Sequence, residues 1–267
     1  MVMSWLTDYE VSRGAMVAAL MCLLSGSAWA GTYQLITGNG KDVCEAYKRN
    51  FEPRHDPVPM ACERRYDSGI PGFTSPQWIK LDLKEHFELY KKAQVYLLRN
   101  DNSPQGAKLS DKEIMEVSDN LGPRAETWHV RLYLARLDLA GDGKLLNVMM
   151  VEQRGCGPNS KPTDKTTKSD LFFLNESLTD IDYDRQDNMN GWFKSATIEI
   201  YEGKPYIEVY AADDDWSHLL TGNGILHVFR YARAIQIARE FPQAEVRGDG
   251  PVKMCEVQYL HDSFERK

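Results

Sequence analysis

The run Asp213-Asp214-Asp215-Trp216, with His218 two residues beyond, is the densest set of groups in this chain that could move a proton. Adjacent carboxylates repel, which raises the pKa of one of them and lets it act as an acid, as paired carboxylates do in glycosidases. The sequence supplies no second carboxylate at a spacing that would complete such a pair. The competing use of the same residues is an exposed acidic and aromatic contact surface, since aromatic side chains are enriched where proteins bind proteins.

A second set is Asp138-Leu-Ala-Gly-Asp142-Gly143-Lys144. It resembles the calcium loops of EF-hands and of FG-GAP-type propeller repeats, with Asp138, Asp142 and Gly143 at positions 1, 5 and 6. Ala140, Leu146 and Met149 stand where positions 3, 9 and 12 would supply oxygen. The turn is therefore expected to be an Asp-Gly hairpin turn, with calcium binding at Asp138 and Asp142 as the alternative. A third set, Asp180, Asp182, Asp184, Asp187 and Asn188, has Arg185 where a calcium loop needs glycine and reads as a solvated loop. His55, His86, His129, His218, His227 and His261 lack metal-ligand spacing. The chain has no His-Glu-x-x-His, no Gly-x-Ser-x-Gly, no phosphate loop and no dinucleotide fingerprint. No residue is assigned a catalytic role on these grounds, and no cofactor is expected apart from the calcium alternative.

The elements that must position these groups follow an export leader. Arg13 precedes an unbroken apolar run from Ala15 to Leu24, and Ala28-Trp29-Ala30 ends the segment with the small residues a signal peptidase cuts after. The run is too short to span a bilayer. The expected mature protein starts at Gly31, lies in the periplasm or outside the cell, and makes no stable membrane insertion. Cleavage removes Cys22 and leaves Cys44, Cys62, Cys156 and Cys255, an even number in an oxidising compartment, which indicates two disulfides. Three connectivities are open. Cys44 with Cys62 and Cys156 with Cys255 is the favoured pairing, since the first pair brackets a proline-rich segment (Pro53, Pro57, Pro59) that has little else to hold it. Closing a loop as short as the first stabilises by roughly 3 kcal/mol in the chain-entropy model. No two cysteines lie two to four residues apart, so a zinc site is not indicated. The net charge of −7, without a block of Lys or Arg, argues against nucleic acid and anionic lipid as partners.

Residues 31 to about 125 read as short helices joined by loops. Val43, Tyr47 and Phe51 recur at helical spacing with Cys44 beside them. Asp82 with Glu85, and Ser110 with Glu113, mark two further helix starts, and Gly122-Pro123 ends the second of these. From Trp128 the period changes to two. Residues 130–139 and 145–152 flank Gly141-Asp142-Gly143-Lys144 as a central hairpin, and residues 197–201 and 206–210 flank Glu202-Gly203-Lys204 as another. Further strands are expected at 170–175, 225–231 and 252–260. A mobile loop is expected between Arg154 and Lys168. Thr-Gly-Asn-Gly occurs at 37–40 and again at 221–224, as turn chemistry used twice.

Val43-Cys-Glu-Ala-Tyr47, Pro59-Met-Ala-Cys-Glu63, Phe73-x-x-Pro-x-Trp78, Tyr201-Glu-Gly-Lys-Pro-Tyr206 and Met254-Cys-Glu-x-x-Tyr259, together with the 138–144 turn, occur in one order across the chain. This order resembles that of uncharacterised bacterial exported proteins. The resemblance implies a single architectural unit in a Gram-negative type of envelope and carries no activity. The fold expected is α+β, with N-terminal helices and loops (31–125) packed on a mainly antiparallel sheet from the second half (126–267). The function expected is a non-catalytic binding or inhibitory protein acting on an envelope enzyme or toxin. Its alternatives are an envelope hydrolase using the carboxylates at 213–215 and a propeller-like calcium module.

Overall fold

The structure, a computed structural model, describes residues 31–52, 72–100, 109–154, 167–189, 194–211, 225–243 and 248–261. In chain order its elements are β1 (Gly31–Thr37), α1 (Asp42–Phe51), β2 (Phe73–Thr74), β3 (Ile79–Leu81), α2 (Phe87–Arg99), α3 (Asp111–Asp119), α4 (Leu121–Thr127), β4 (Arg131–Leu137), β5 (Leu146–Arg154), β6 (Thr167–Leu174), α5 (Tyr183–Asn188), β7 (Ala196–Tyr201), β8 (Lys204–Ala211), β9 (Ile225–Ala232), α6 (Ala234–Glu240) and β10 (Gly250–His261). The class is α+β, and the strands form two antiparallel sheets. The larger runs β1-β10-β9-β8-β7-β2 and the smaller β3-β4-β5-β6.

Both hairpins form where the two-residue period places them. β4 and β5 pair from Arg131↔Glu152 to Leu137↔Leu146 in the middle of the smaller sheet. β7 and β8 meet at Tyr201↔Lys204, joined by Glu202 and Gly203 at φ 51° and 77°. Two successive left-handed residues give the turn the twist of the strands it joins, and glycine takes the second position without a Cβ penalty. The strands are apolar on both faces because both faces are covered. Helices α2 and α4 bring Leu89, Tyr90, Ala93, Leu121 and Ala125 into the same core as Leu132, Met149 and Phe172. On the opposite face Phe173 meets Tyr231 of the larger sheet at 5.3 Å, and the Ser169 hydroxyl donates to the Ala196 carbonyl.

The N-terminal part is not helix and loop alone. It contributes β1 and β2 to the larger sheet and β3 to the smaller one, so residues 31–125 and the second half are interleaved. β2 and β3 are two and three residues long, too short to display a period. β1 is an edge strand with Tyr33 buried and Thr32, Gln34 and Ile36 exposed. The Ser110 and Glu113 capping box is present in full. Asp82 accepts from the amides of Lys84 and Glu85, but this fastens a turn, and α2 begins only at Phe87. Gly122-Pro123 opens α4 where a helix end was expected. Proline is tolerated in a first turn because its missing N–H has no intrahelical partner there.

The favoured cysteine pairing is overturned. Cys44 of α1 is bonded to Cys255 of β10, a separation of 211 residues, which excludes both Cys44 with Cys62 and Cys156 with Cys255. Cys62 and Cys156 lie outside the described residues. Helix α1 lies across β1 and β10, so the two cysteines are neighbours in space although the sequence places them at opposite ends. Tyr33, Val43, Tyr47, Phe51, Phe73, Tyr201, Tyr206, Leu226, Val228 and Val257 bury one another around this bond in a cluster separate from the core between the sheets. In the chain-entropy model a loop of this length stabilises by about 5 kcal/mol.

Candidate functional site

Asp138 and Asp142 are brought together, and their oxygens are already engaged. Asp138 accepts from the amides of Asp142 at 3.0 Å and Gly143 at 2.7 Å. Asp142 accepts from the Lys144 amide at 3.1 Å and from Arg233 Nε at 2.7 Å. Arg233 also reaches Asp249 at 2.7 Å, and the Asp249 carboxylate takes the Ala234 amide at the start of α6. The Arg233 hydrogen bond holds the Asp142 carboxyl below its ordinary range. Burial acts upward on Asp249, and Arg233 with the Ala234 amide outweighs it, so this carboxyl is held low too. A calcium ion at the turn would have to displace two backbone amides or a guanidinium. Among the described residues, no three His, Cys, Asp or Glu side chains are grouped to hold a metal. What the arrangement does is fasten the β4–β5 turn of the smaller sheet to the end of β9 in the larger one.

Of the run at 180–188, expected as a solvated loop, Tyr183–Asn188 forms the short helix α5; Asp184 and Asp187 are exposed, but Asp180, Asp182 and Asp187 each have a partner. Asp182 caps α5 by accepting from the Arg185 amide and also pairs with the Arg185 guanidinium. Asp180 meets Lys92 at 3.0 Å, and the Asp187 carboxylate accepts from the Tyr96 hydroxyl at 2.7 Å. The Gln186 side chain, fully buried, accepts from the Phe173 amide and donates to the Leu171 carbonyl, tying α5 to β6.

Asp213, Asp214, Asp215, Trp216 and His218 lie outside the described residues, but the root of their segment does not. Ala211 and Ile225 are opposite one another at the paired ends of β8 and β9, inside the larger sheet. The two residues that flank 212–224 are therefore partners on adjacent strands.

Two pairs further into the strands is a group that sequence reasoning missed. His227 on β9 stands in register with Glu256 on β10, with Nδ1 at 3.7 Å from Oε2, and Lys253 Nζ is 3.0 Å from the same carboxylate. His227 is buried and Glu256 nearly so. At this separation the two side chains are neighbours across the β9–β10 ladder, near enough to form an ion pair when the imidazole is protonated. No spacing could reveal the pair, because it depends on a register that shifts between Lys253 and Cys255.

A second buried acidic group lies under α1. Glu199 and Glu208 are each 1% exposed, and alternation puts them on the face that α1 covers. The Tyr47 hydroxyl of α1 donates to Glu208. Glutamates alternating with apolar residues read as solvent-facing, and only the helix laid over that face explains their burial.

Comparison of the chain with protein-family models, with curated proteins and with solved structures finds no match. Among the described residues, no helix is long and apolar enough to cross a membrane.

Proposed function

We propose that this chain is an exported, non-catalytic binding protein of the inhibitory type, which presents residues 212–224 to a protein partner in the bacterial envelope. The supporting observation is the pairing of Ala211 with Ile225: an acidic and aromatic segment is anchored at both ends on adjacent strands inside a six-stranded sheet. Loops on rigid scaffolds are where recognition is concentrated. Asp213, Asp214 and Asp215 favour a basic partner surface, and Trp216 supplies the aromatic anchor typical of a binding hot spot. The Cys44–Cys255 bond is consistent with export to an oxidising compartment, as is the leader.

The test is capture from envelope and culture-supernatant extracts by oxidised protein spanning residues 31–267, beside a variant with Asp213, Asp214 and Asp215 changed to Ala. A stoichiometric partner lost in the variant supports the reading. A partner retained by the variant, or none in either sample, sinks it.

The second reading, an envelope hydrolase, gains one observation: His227 and Glu256 stand close to the root of the segment that carries Asp213 to Asp215. It predicts hydrolysis of cell-wall or lipid substrates that is lost in His227→Gln.

A further inference from the structure

The region around α1 has a small core of its own. Its apolar cluster is separate from the core between the sheets, and β1 is an edge strand whose partner in the sheet is β10. Both sulfur-bearing residues of the Cys44–Cys255 bond are 0% exposed. The Gly38 turn lies directly on them: a Cβ placed at Gly38 would stand 2.6 Å from the Cys255 Cβ and 2.9 Å from the Cys44 sulfur. The turn is fastened by the Lys41 amide donating to the Gly38 carbonyl, by Lys41 Nζ donating to the Met254 carbonyl, and by the Gly40 amide donating to Glu45. Beneath α1 are the carboxylates of Glu199 and Glu208. Taking two carboxyl groups out of water works against closure, and a cross-link works for it.

We propose that β1 and α1 form a redox-sensitive clasp: the Cys44–Cys255 bond holds them shut over Glu199 and Glu208, and its cleavage by a dithiol opens them locally while the core between the sheets stays folded. In the exchange, a thiolate of the dithiol attacks one sulfur, and the sulfur–sulfur bond breaks to release the other cysteine as a thiolate. The second thiol of the reductant then resolves the mixed disulfide. The protein gains two electrons and two protons as two thiols, and the dithiol ends as its own disulfide. Because the bond is covered, attack follows opening of the turn at Gly38 to Lys41.

Two measurements on oxidised protein spanning residues 31–267, with dithiothreitol as reductant, test this. The rate of reduction should level off as dithiothreitol is raised, because turn opening becomes limiting. A rate that climbs linearly throughout would mean that the closed form is attacked directly, and would overturn the gate. Amide exchange read by mass spectrometry should then show protection in β1 and α1 falling roughly tenfold or more on reduction, with β4 and β5 unchanged. Equal loss in β4 and β5, or no loss anywhere, overturns the clasp. Cys255→Ser supplies the open state without reductant and should show the same local pattern; a variant that fails to fold at all counts against a local device.

Discussion

Replacing Gly38 by Ala should be among the most damaging single-methyl changes in the molecule, and the structure allows the cost to be divided. Gly38 has φ 93°, where an L side chain is strained by roughly 1–2 kcal/mol. Its Cβ would also stand 2.5 Å from the Met254 carbonyl oxygen and 2.6 Å from the Cys255 Cβ, neither of them the far end of a flexible chain. Forcing a methyl into packed surroundings adds about 1–3 kcal/mol. The sum is about 2–5 kcal/mol. Gly40 is the internal control, with φ 78° and nothing within 4 Å of its Cβ position, so Gly40→Ala should show the backbone strain alone. Urea unfolding of the two oxidised variants, each checked for free thiol, measures both terms. Equal losses of stability would refute the close approach of the turn to the disulfide. A Gly38→Ala protein as stable as the parent would refute the strain as well.

Three further outcomes are expected. Arg233→Ala should lower the melting temperature at neutral pH by several degrees. Because the carboxyls of Asp142 and Asp249 titrate low in the folded state, Arg233 stabilises above the unfolded-state pKa of about 4, so the gap to the parent should close as pH falls below that value. A gap that persists at acid pH would show that Arg233 contributes packing and not charge. Added calcium, or EDTA, should leave the melting curve unchanged, since the oxygens of Asp138 and Asp142 are already engaged; a rise with calcium would revive the metal reading. Non-reducing peptide mapping of protein spanning residues 31–267 should find Cys44 joined to Cys255, and any second intramolecular bridge must then join Cys62 to Cys156. A Cys44–Cys62 peptide would contradict the fold.

What the sequence reveals is whatever repeats within one element. Val43, Tyr47 and Phe51 identify α1 and its inward face, and the strict alternation around Glu202-Gly203 identifies β7 and β8 to within a residue or two. The Ser110 box is legible because both of its partners lie within one turn. What escapes is set by partners distant in sequence. β2 and β3 exist only because a longer strand offers them an edge. His227 becomes the neighbour of Glu256 through a register that passes a bulge, and Glu199 and Glu208 are buried by a helix some 160 residues earlier in the chain. The expected cysteine pairing fails for the same reason: a proline-rich segment in need of a tether points to the cysteines that flank it, whereas Cys44 meets Cys255 because the first helix lies on the last strand. The acidic run at 180–188 was read as solvated because its partners, Lys92 and Tyr96, belong to α2.

The meeting of β1 and α1 with β10 imposes an order of events on a chain that emerges from its N-terminus. Cys44 appears early, with Cys62 the next cysteine to follow and its native partner near the very end. Until β10 arrives, the apolar side of α1 has no permanent seat, and the most accessible oxidation product is the wrong one. For a chain exported as proposed, native pairing of Cys44 then requires that product to be exchanged, so the yield of native protein should depend on a disulfide isomerase as well as on an oxidant.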